Sequence, residues 1–352
     1  MTIRESSRRP RRGVVICGAY GMGNGGDDAV LSAVIAELRR LDRDMPVTVL
    51  ARHPGETAQR FGVSAVHPLR ILRWMAALRR ARLFLSGGGS LLQDVTSRRS
   101  LSYYLLTIRL AKKLGCAVQL YGCGIGPLLR EESRRRTAET LNACADAATL
   151  RDADSEALLR KLGVDRPRVL LAADPVMSLP PSPGDREKGA AFVLRDWPGV
   201  RERLPDVADC ARYIWETYRR EPVVFLLAPE DRETAKALCR MLEDDGVPVS
   251  VSVDARRIGR MSLVVSMRLH GLVFALRDGA PAMGVSYDPK VTAFCREAGF
   301  PCIDLEHVTE ERLRALADET AHLDGEELAA SAERMRRRER VNGRVAAELL
   351  SE

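Results

Sequence analysis

Several things are missing from this sequence, and each absence removes a class of explanation. No apolar run approaches the roughly 20 residues of a membrane-spanning helix. Eight cysteines are present, but no C-x-x-C pair and no zinc spacing occurs. Most of them sit inside apolar runs and read as buried thiols of a reducing compartment. There is no RNP or zinc-finger pattern and no stretch that interleaves basic with aromatic residues. Nucleic acid is therefore not an expected partner, despite a net charge of +7. Lysine and histidine are scarce, with six lysines and five histidines against 49 arginines. A site that gathers a lysine, a histidine and arginines is informative for that reason.

At 352 residues, 45% hydrophobic and 29% charged, the chain fits a globular protein with two domains. Short apolar runs alternate with segments of helical periodicity. Strands are expected over 13–18, 47–50, 83–86, 117–121, 147–150 and 169–172, then over 190–194, 223–227, 249–253, 263–266 and 282–286. Such alternation predicts α/β architecture with parallel sheets covered by helices. Three prolines and a glycine between Ser178 and Asp185 mark a break. The expected organisation is a basic disordered tail (1–12), a Rossmann-like domain (13–177), a linker (178–187) and a second Rossmann-like domain (188–322). A charged helix (323–352) follows, expected to pack back on the first domain. The paired arginines of the tail precede too short an apolar stretch for an export signal. The tail is instead a candidate for peripheral contact with an anionic membrane.

Glycine-rich segments follow successive first-domain strands. Gly21, Gly23 and Gly26 fit G-x-G-x-x-G, which would suggest a dinucleotide. Asp27 and Asp28 stand where a pyrophosphate would approach, and Arg52 rather than an acidic residue ends the second strand. Asn24 and Asp27 are instead candidates for sugar hydroxyls, the plain alternative being a helix cap by Asp27 or Asp28. Gly87, Gly88 and Gly89, with Asp94 beyond them, and then Gly124 and Gly126 repeat the pattern. Together they predict a ligand-lined rim at the carboxyl edge of the sheet. Arg151 ends another strand and is expected to point into the same cleft.

In the second half, Ser266-Met267-Arg268-Leu269-His270-Gly271 follows a strand, and Tyr287-Asp288-Pro289-Lys290 follows the next. A guanidinium grips a carboxylate or phosphate with two parallel hydrogen bonds. Histidine passes a proton near neutral pH. With the helix expected to begin at Leu272, His270 would sit at its amino end. The pattern predicts transfer chemistry on an anionic small molecule.

In this order, the segments Asn24-x-Gly26-Asp27, Ser86-Gly87-Gly88-Gly89, Tyr121-Gly122-x-Gly124-Ile125-Gly126-Pro127, Arg151-Asp152, Ala173-Asp174-Pro175, Arg268-Leu269-His270 and Tyr287-Asp288-x-Lys290 resemble those of polysaccharide pyruvyl transferases. They are most similar to the bacterial branch acting on secondary cell-wall polymers for surface-layer (S-layer) anchoring. The resemblance spans about residues 13–320. It implies a fold like the GT-B glycosyltransferases, a cytoplasmic enzyme with a place at the inner membrane face, and no metal or redox cofactor. It implies phosphoenolpyruvate as donor and a lipid-linked glycan, with N-acetylmannosamine favoured, as acceptor. His270 would be the general acid, and Arg151, Arg268 and Lys290 would hold the donor, with Leu269 and Tyr287 beside them. Asp27 or Asp94 would orient the acceptor or act as base. The rivals are a GT-B glycosyltransferase using a nucleotide sugar and a non-catalytic glycan-binding protein.

Overall fold

In the computed structural model, residues 11–95 and 97–352 are described. The tail placed at 1–12 lies outside them except for Arg11 and Arg12. The first seven strands are β1 (Val14–Tyr20), β2 (Val47–Ala51), β3 (Ser64–Val66), β4 (Leu83–Leu92), β5 (Ala117–Ile125), β6 (Ala147–Leu150) and β7 (Arg168–Leu171). They form one sheet in the order β3-β2-β1-β4-β5-β6-β7, every pair parallel. A second parallel sheet contains β8 (Glu187–Val193), β9 (Glu221–Phe225), β10 (Ser250–Ser252), β11 (Met261–Ser266), β12 (Ala282–Ser286) and β13 (Cys302–Asp304). Its order, β10-β9-β8-β11-β12-β13, reproduces the first with one strand fewer. Both sheets are doubly wound, so the fold consists of two Rossmann-like α/β domains. Ligands of such sheets bind beyond the carboxyl ends of the strands, where the strand order reverses.

Three features depart from the sequence reading. Edge strands β3 and β13 are only three residues long and escape a periodicity test. β4 and β5 run through the glycines instead of stopping before them, and their register slips between Gly89 and Leu92. The helix after β11 begins at Leu269, so Arg268 is its cap residue and His270 lies in its first turn.

A buried apolar cluster crosses the domain boundary. It joins Ile16, Val30 and Leu31 of the first domain to Leu269, Leu272 and Val273 of the second. The last helix, Gly325–Ser351, is polar outward and apolar inward and lies across the first sheet. Gln119 Nε2 donates to the Asn342 carbonyl (3.0 Å), and Asn342 Nδ2 donates to the Ala173 carbonyl (3.0 Å). Arg338 donates to the Ala172 carbonyl and also pairs with Glu297 of the second domain. Burial pushes the neighbouring Glu339 carboxyl up to about 8, against the hydrogen bond with Asn342. The chain therefore passes between the domains twice, at 172–187 and at 322–325.

Candidate active site between the domains

A cavity of about 360 Å³ opens where the carboxyl edges of the two sheets meet. The first domain lines it with the β1 loop, the ends of β4 and β5, and Arg151. The second domain lines it with the segments after β8, β9, β11 and β12. Asn24, Asp27, Gly89, Gly126, Arg151, Arg268, Leu269, His270, Tyr287 and Lys290 all border it. Gly87, Gly88, Gly124 and Asp94 do not.

Local chemistry explains that division. Gly87 accepts a hydrogen bond from the Tyr20 hydroxyl at 2.7 Å. Gly88 has φ +62° and presses on Val30, so a side chain there would displace the first helix. Gly124 leaves room for Arg151, whose Nε and Nη2 lie 2.9 Å from where a Cβ would stand. Asp94 is a structural group. Its carboxylate accepts from the amides of Leu129 (2.7 Å) and Arg130 (3.1 Å), which fixes the loop after β5. Burial opposes its charge, but these amides and Ser133 hold the carboxyl below its usual range. It is thus not placed to act as a base. The helix cap is Asn24 rather than either aspartate: its Oδ1 accepts from the Gly26 and Asp27 amides (3.0 and 3.4 Å). Asp28 pairs with Arg60 at 2.5 Å.

Capping leaves Asp27 facing the cavity, with no hydrogen-bond partner for its carboxylate among the described residues. Burial raises the Asp27 carboxyl against the pull of His270, Arg268 and Arg151. The first helix comes so close to His270 that a side chain at Gly26 would overlap the imidazole ring. On its other side, His270 Nε2 stands 3.5 Å from Asp174 Oδ2 and makes no hydrogen bond among the described residues. The same Asp174 oxygen accepts from Arg151 Nη1 at 3.3 Å, and Arg151 Nη2 donates to Ser90 Oγ at 2.9 Å. Burial opposes the charge on Asp174, yet His270 and Arg151 hold its carboxyl below the ordinary value. Asp174 therefore joins a first-domain arginine to a second-domain histidine.

The cations differ in how much of their charge is already matched. Arg268 is buried and forked onto Asp231, with Nε to Oδ2 at 2.5 Å and Nη2 to Oδ1 at 2.8 Å, while Nη2 also meets Glu230 at 3.0 Å. Only its Nη1 is without a partner among the described residues. Lys290 Nζ donates to Asp288 at 2.9 Å and lies over the Tyr287 ring. Arg195 has no carboxylate within ion-pair distance among the described residues. Its guanidinium lies 5.2 Å from the Trp197 ring centroid and 5.0 Å from that of Tyr287. It donates to the Tyr287 hydroxyl at 3.0 Å, and its Nε has no partner among the described residues. The two rings pack at 4.7 Å.

Sequence reasoning did not single out Arg195, Trp197, Ser90, Asp231 or Asp174 as site residues. Asp174 carried a signal, as an Asp-Pro at the end of a first-domain strand. Arg195 and Trp197 sit in Leu194-Arg195-Asp196-Trp197-Pro198, which reads as an ordinary turn after β8.

A sequence model of the polysaccharide pyruvyl transferase family matches residues 24–289, more than half of the chain. No curated protein matches the sequence. Among solved structures, Alr3699/HepE of Anabaena in complex with UDP-glucose is similar at a TM-score of 0.60 and 13% identity, over 97% of this chain and 99% of that one. The UDP-GlcNAc 2-epimerase of Methanocaldococcus jannaschii is similar at a TM-score of 0.60 and 10% identity, over 92% and 98%. At such identities the likeness is one of fold, and it is to proteins of GT-B architecture.

Proposed function

This chain belongs to the polysaccharide pyruvyl transferase family, and we propose that it moves the pyruvyl group of phosphoenolpyruvate onto two hydroxyls of one sugar. The favoured acceptor is N-acetylmannosamine in a lipid-linked precursor of a secondary cell-wall polymer, the kind that anchors surface-layer proteins. The product is a 4,6-ketal, and phosphate is released. The observation that carries this reading is the second-domain wall. There Arg195, Arg268, His270 and Lys290 face a single cavity, opposite Asp27.

The reaction adds a proton to the donor's methylene carbon, which becomes a methyl group. The adjacent carbon turns electrophilic, and one sugar oxygen bonds to it. The carbon–oxygen bond to phosphate breaks, and the second sugar oxygen closes the ring. Two hydroxyl protons are lost: one replaces the proton given to carbon, and the other leaves with phosphate. His270 supplies the carbon-bound proton, with the Asp174 carboxylate 3.5 Å from its Nε2. Arg151 and Lys290 bind the donor's anionic groups and stabilise charge on the departing phosphate. Arg268 contributes through Nη1, the rest of its fork being committed to Asp231. Arg195 adds the cavity's unmatched positive charge. Asp27 orients or deprotonates a sugar hydroxyl.

The test is phosphate release from phosphoenolpyruvate, with and without an aryl N-acetylmannosaminyl disaccharide. Acceptor-dependent release, with the acceptor gaining a pyruvyl group by mass spectrometry, supports the reading. A second reading is a glycosyltransferase using a nucleotide sugar, favoured by the fold and by the Trp197–Tyr287 aromatic surface. Thermal stabilisation by a nucleotide sugar, with none from phosphoenolpyruvate, would select it.

A further inference from the structure

From Thr57 to Gln93 the chain holds six arginines and no aspartate or glutamate. Within this stretch, Leu69, Ile71 and Leu72 are 80, 52 and 82% exposed. They form an apolar tip made by the end of the loop after β3 (Leu69) and the first residues of the helix Ile71–Arg80 (Ile71 and Leu72). The exposed Arg70 and Arg73 alternate with them, and neither has a carboxylate partner among the described residues. The tip is held firmly: Trp74 Nε1 donates to the Pro68 carbonyl at 3.0 Å, and the Arg70 amide to the His67 carbonyl at 2.9 Å. Trp74 and Leu78 of that helix are buried, so its inner face is already occupied.

We propose that the turn Leu69–Arg73 docks the protein on an anionic lipid surface. Leu69, Ile71 and Leu72 enter the boundary between headgroups and acyl chains, while Arg70 and Arg73 meet lipid phosphates. Nucleic acid would use the arginines but not three aliphatic side chains. A second copy of the chain would set arginines against arginines. The position suits a lipid-linked substrate. The tip follows the carboxyl end of β3, on the same sheet edge as the cavity. β3 lies two strands from β1, about 10 Å across the sheet. Docking does not depend on which donor the cavity accepts, so it stands or falls separately from the reaction.

The experiment is co-sedimentation of the full chain with phosphatidylglycerol-containing vesicles and with pure phosphatidylcholine vesicles, at low and high salt. Preferential binding to the anionic vesicles, weakened by salt, is expected. Leu69→Ser with Leu72→Ser, and separately Arg70→Gln with Arg73→Gln, should each lower partitioning at least about tenfold. Their melting temperatures, and their turnover of a soluble acceptor, should stay unchanged. Failure to bind anionic vesicles would overturn the proposal and direct attention to an acidic protein partner. Undiminished binding by both double variants would also overturn it, since residues 1–12 would then carry the contact.

Discussion

The two walls of the cavity are built from the same topology yet differ in chemistry. The first-domain wall offers backbone, hydroxyls and a carboxylate: Gly89, Ser90, Gln93, Ser100, Asn24 and Asp27, with Arg151 as its one cation among the described residues. The second-domain wall offers Arg195, Arg268, His270 and Lys290 around Trp197 and Tyr287. Glycines let the first wall approach a ligand with main-chain atoms, and its neutral groups suit sugar hydroxyls. The second wall suits a small dianion. On the proposed reaction, the acceptor would lie against the first wall and most of the donor's charge against the second, with Arg151 reaching the donor from beside Asp174.

Substitutions can break or sharpen that contrast, and the largest effect is expected at His270. His270→Gln should lower turnover by about 10²- to 10⁴-fold while the melting temperature holds. Near-normal turnover would remove the histidine from the chemistry. Gly26→Ala changes only the first domain but presses on the same ring, and displacing a reacting group by about 1 Å can cost on the order of 10². An unchanged kcat would show that the two walls are not packed as closely as described. Arg195→Ala should raise the KM for phosphoenolpyruvate by about 10- to 100-fold and leave the acceptor KM alone, as expected for a lost charged hydrogen bond. Arg195→Lys should rescue poorly, because an ammonium cannot lie flat against both rings and present a fork. If the acceptor KM rises instead, the assignment of walls to substrates is reversed.

Asp27→Asn should act on the acceptor, raising its KM about tenfold. It should also change the pH profile. Burial raises the Asp27 carboxyl, so its basic form disappears on acidification at a higher pH than for an ordinary aspartate. Wild-type activity should therefore fall early on the acid side, and the asparagine variant should lack that limb. An identical acid limb in both would dismiss Asp27 as the base. The smallest effect concerns the helix behind both walls. Because burial lifts Glu339 to about 8, its stabilising neutral form is complete below the ordinary value of 4.5. That contribution is lost as pH rises through about 8. Glu339→Gln should hold the melting temperature a few degrees above wild type at pH 9 and match it near pH 5. Parallel curves would place the carboxyl in water.

What the sequence disclosed follows from how each feature is encoded. β6 and β12 were read to the residue because they are short, buried apolar runs with abrupt ends. β3 and β13 lie at sheet edges, where few residues and partial exposure leave no periodic signal. Gly87, Gly88 and Gly89 read as a loop because glycine weakens a strand. In the structure they continue it, making room for Val30 and Tyr20. Arg268, His270 and Lys290 were legible as rare residues at strand ends. Asp231 was not, since its partner Arg268 lies 37 residues away on another strand end and nothing local marks the pairing. Asp94 misled for the same reason: its contacts with the Leu129 and Arg130 amides depend on a strand neighbour that periodicity does not reveal.

The two passages of the chain between the domains also govern how the cavity can open. A single tether would let one domain swivel freely against the other. Two tethers, with Arg338 gripping both sides of the seam, leave one easy motion: bending about the line that joins them. The protein should work like a clamshell rather than a ball joint, and each closure should return His270 to the same place beside Asp174.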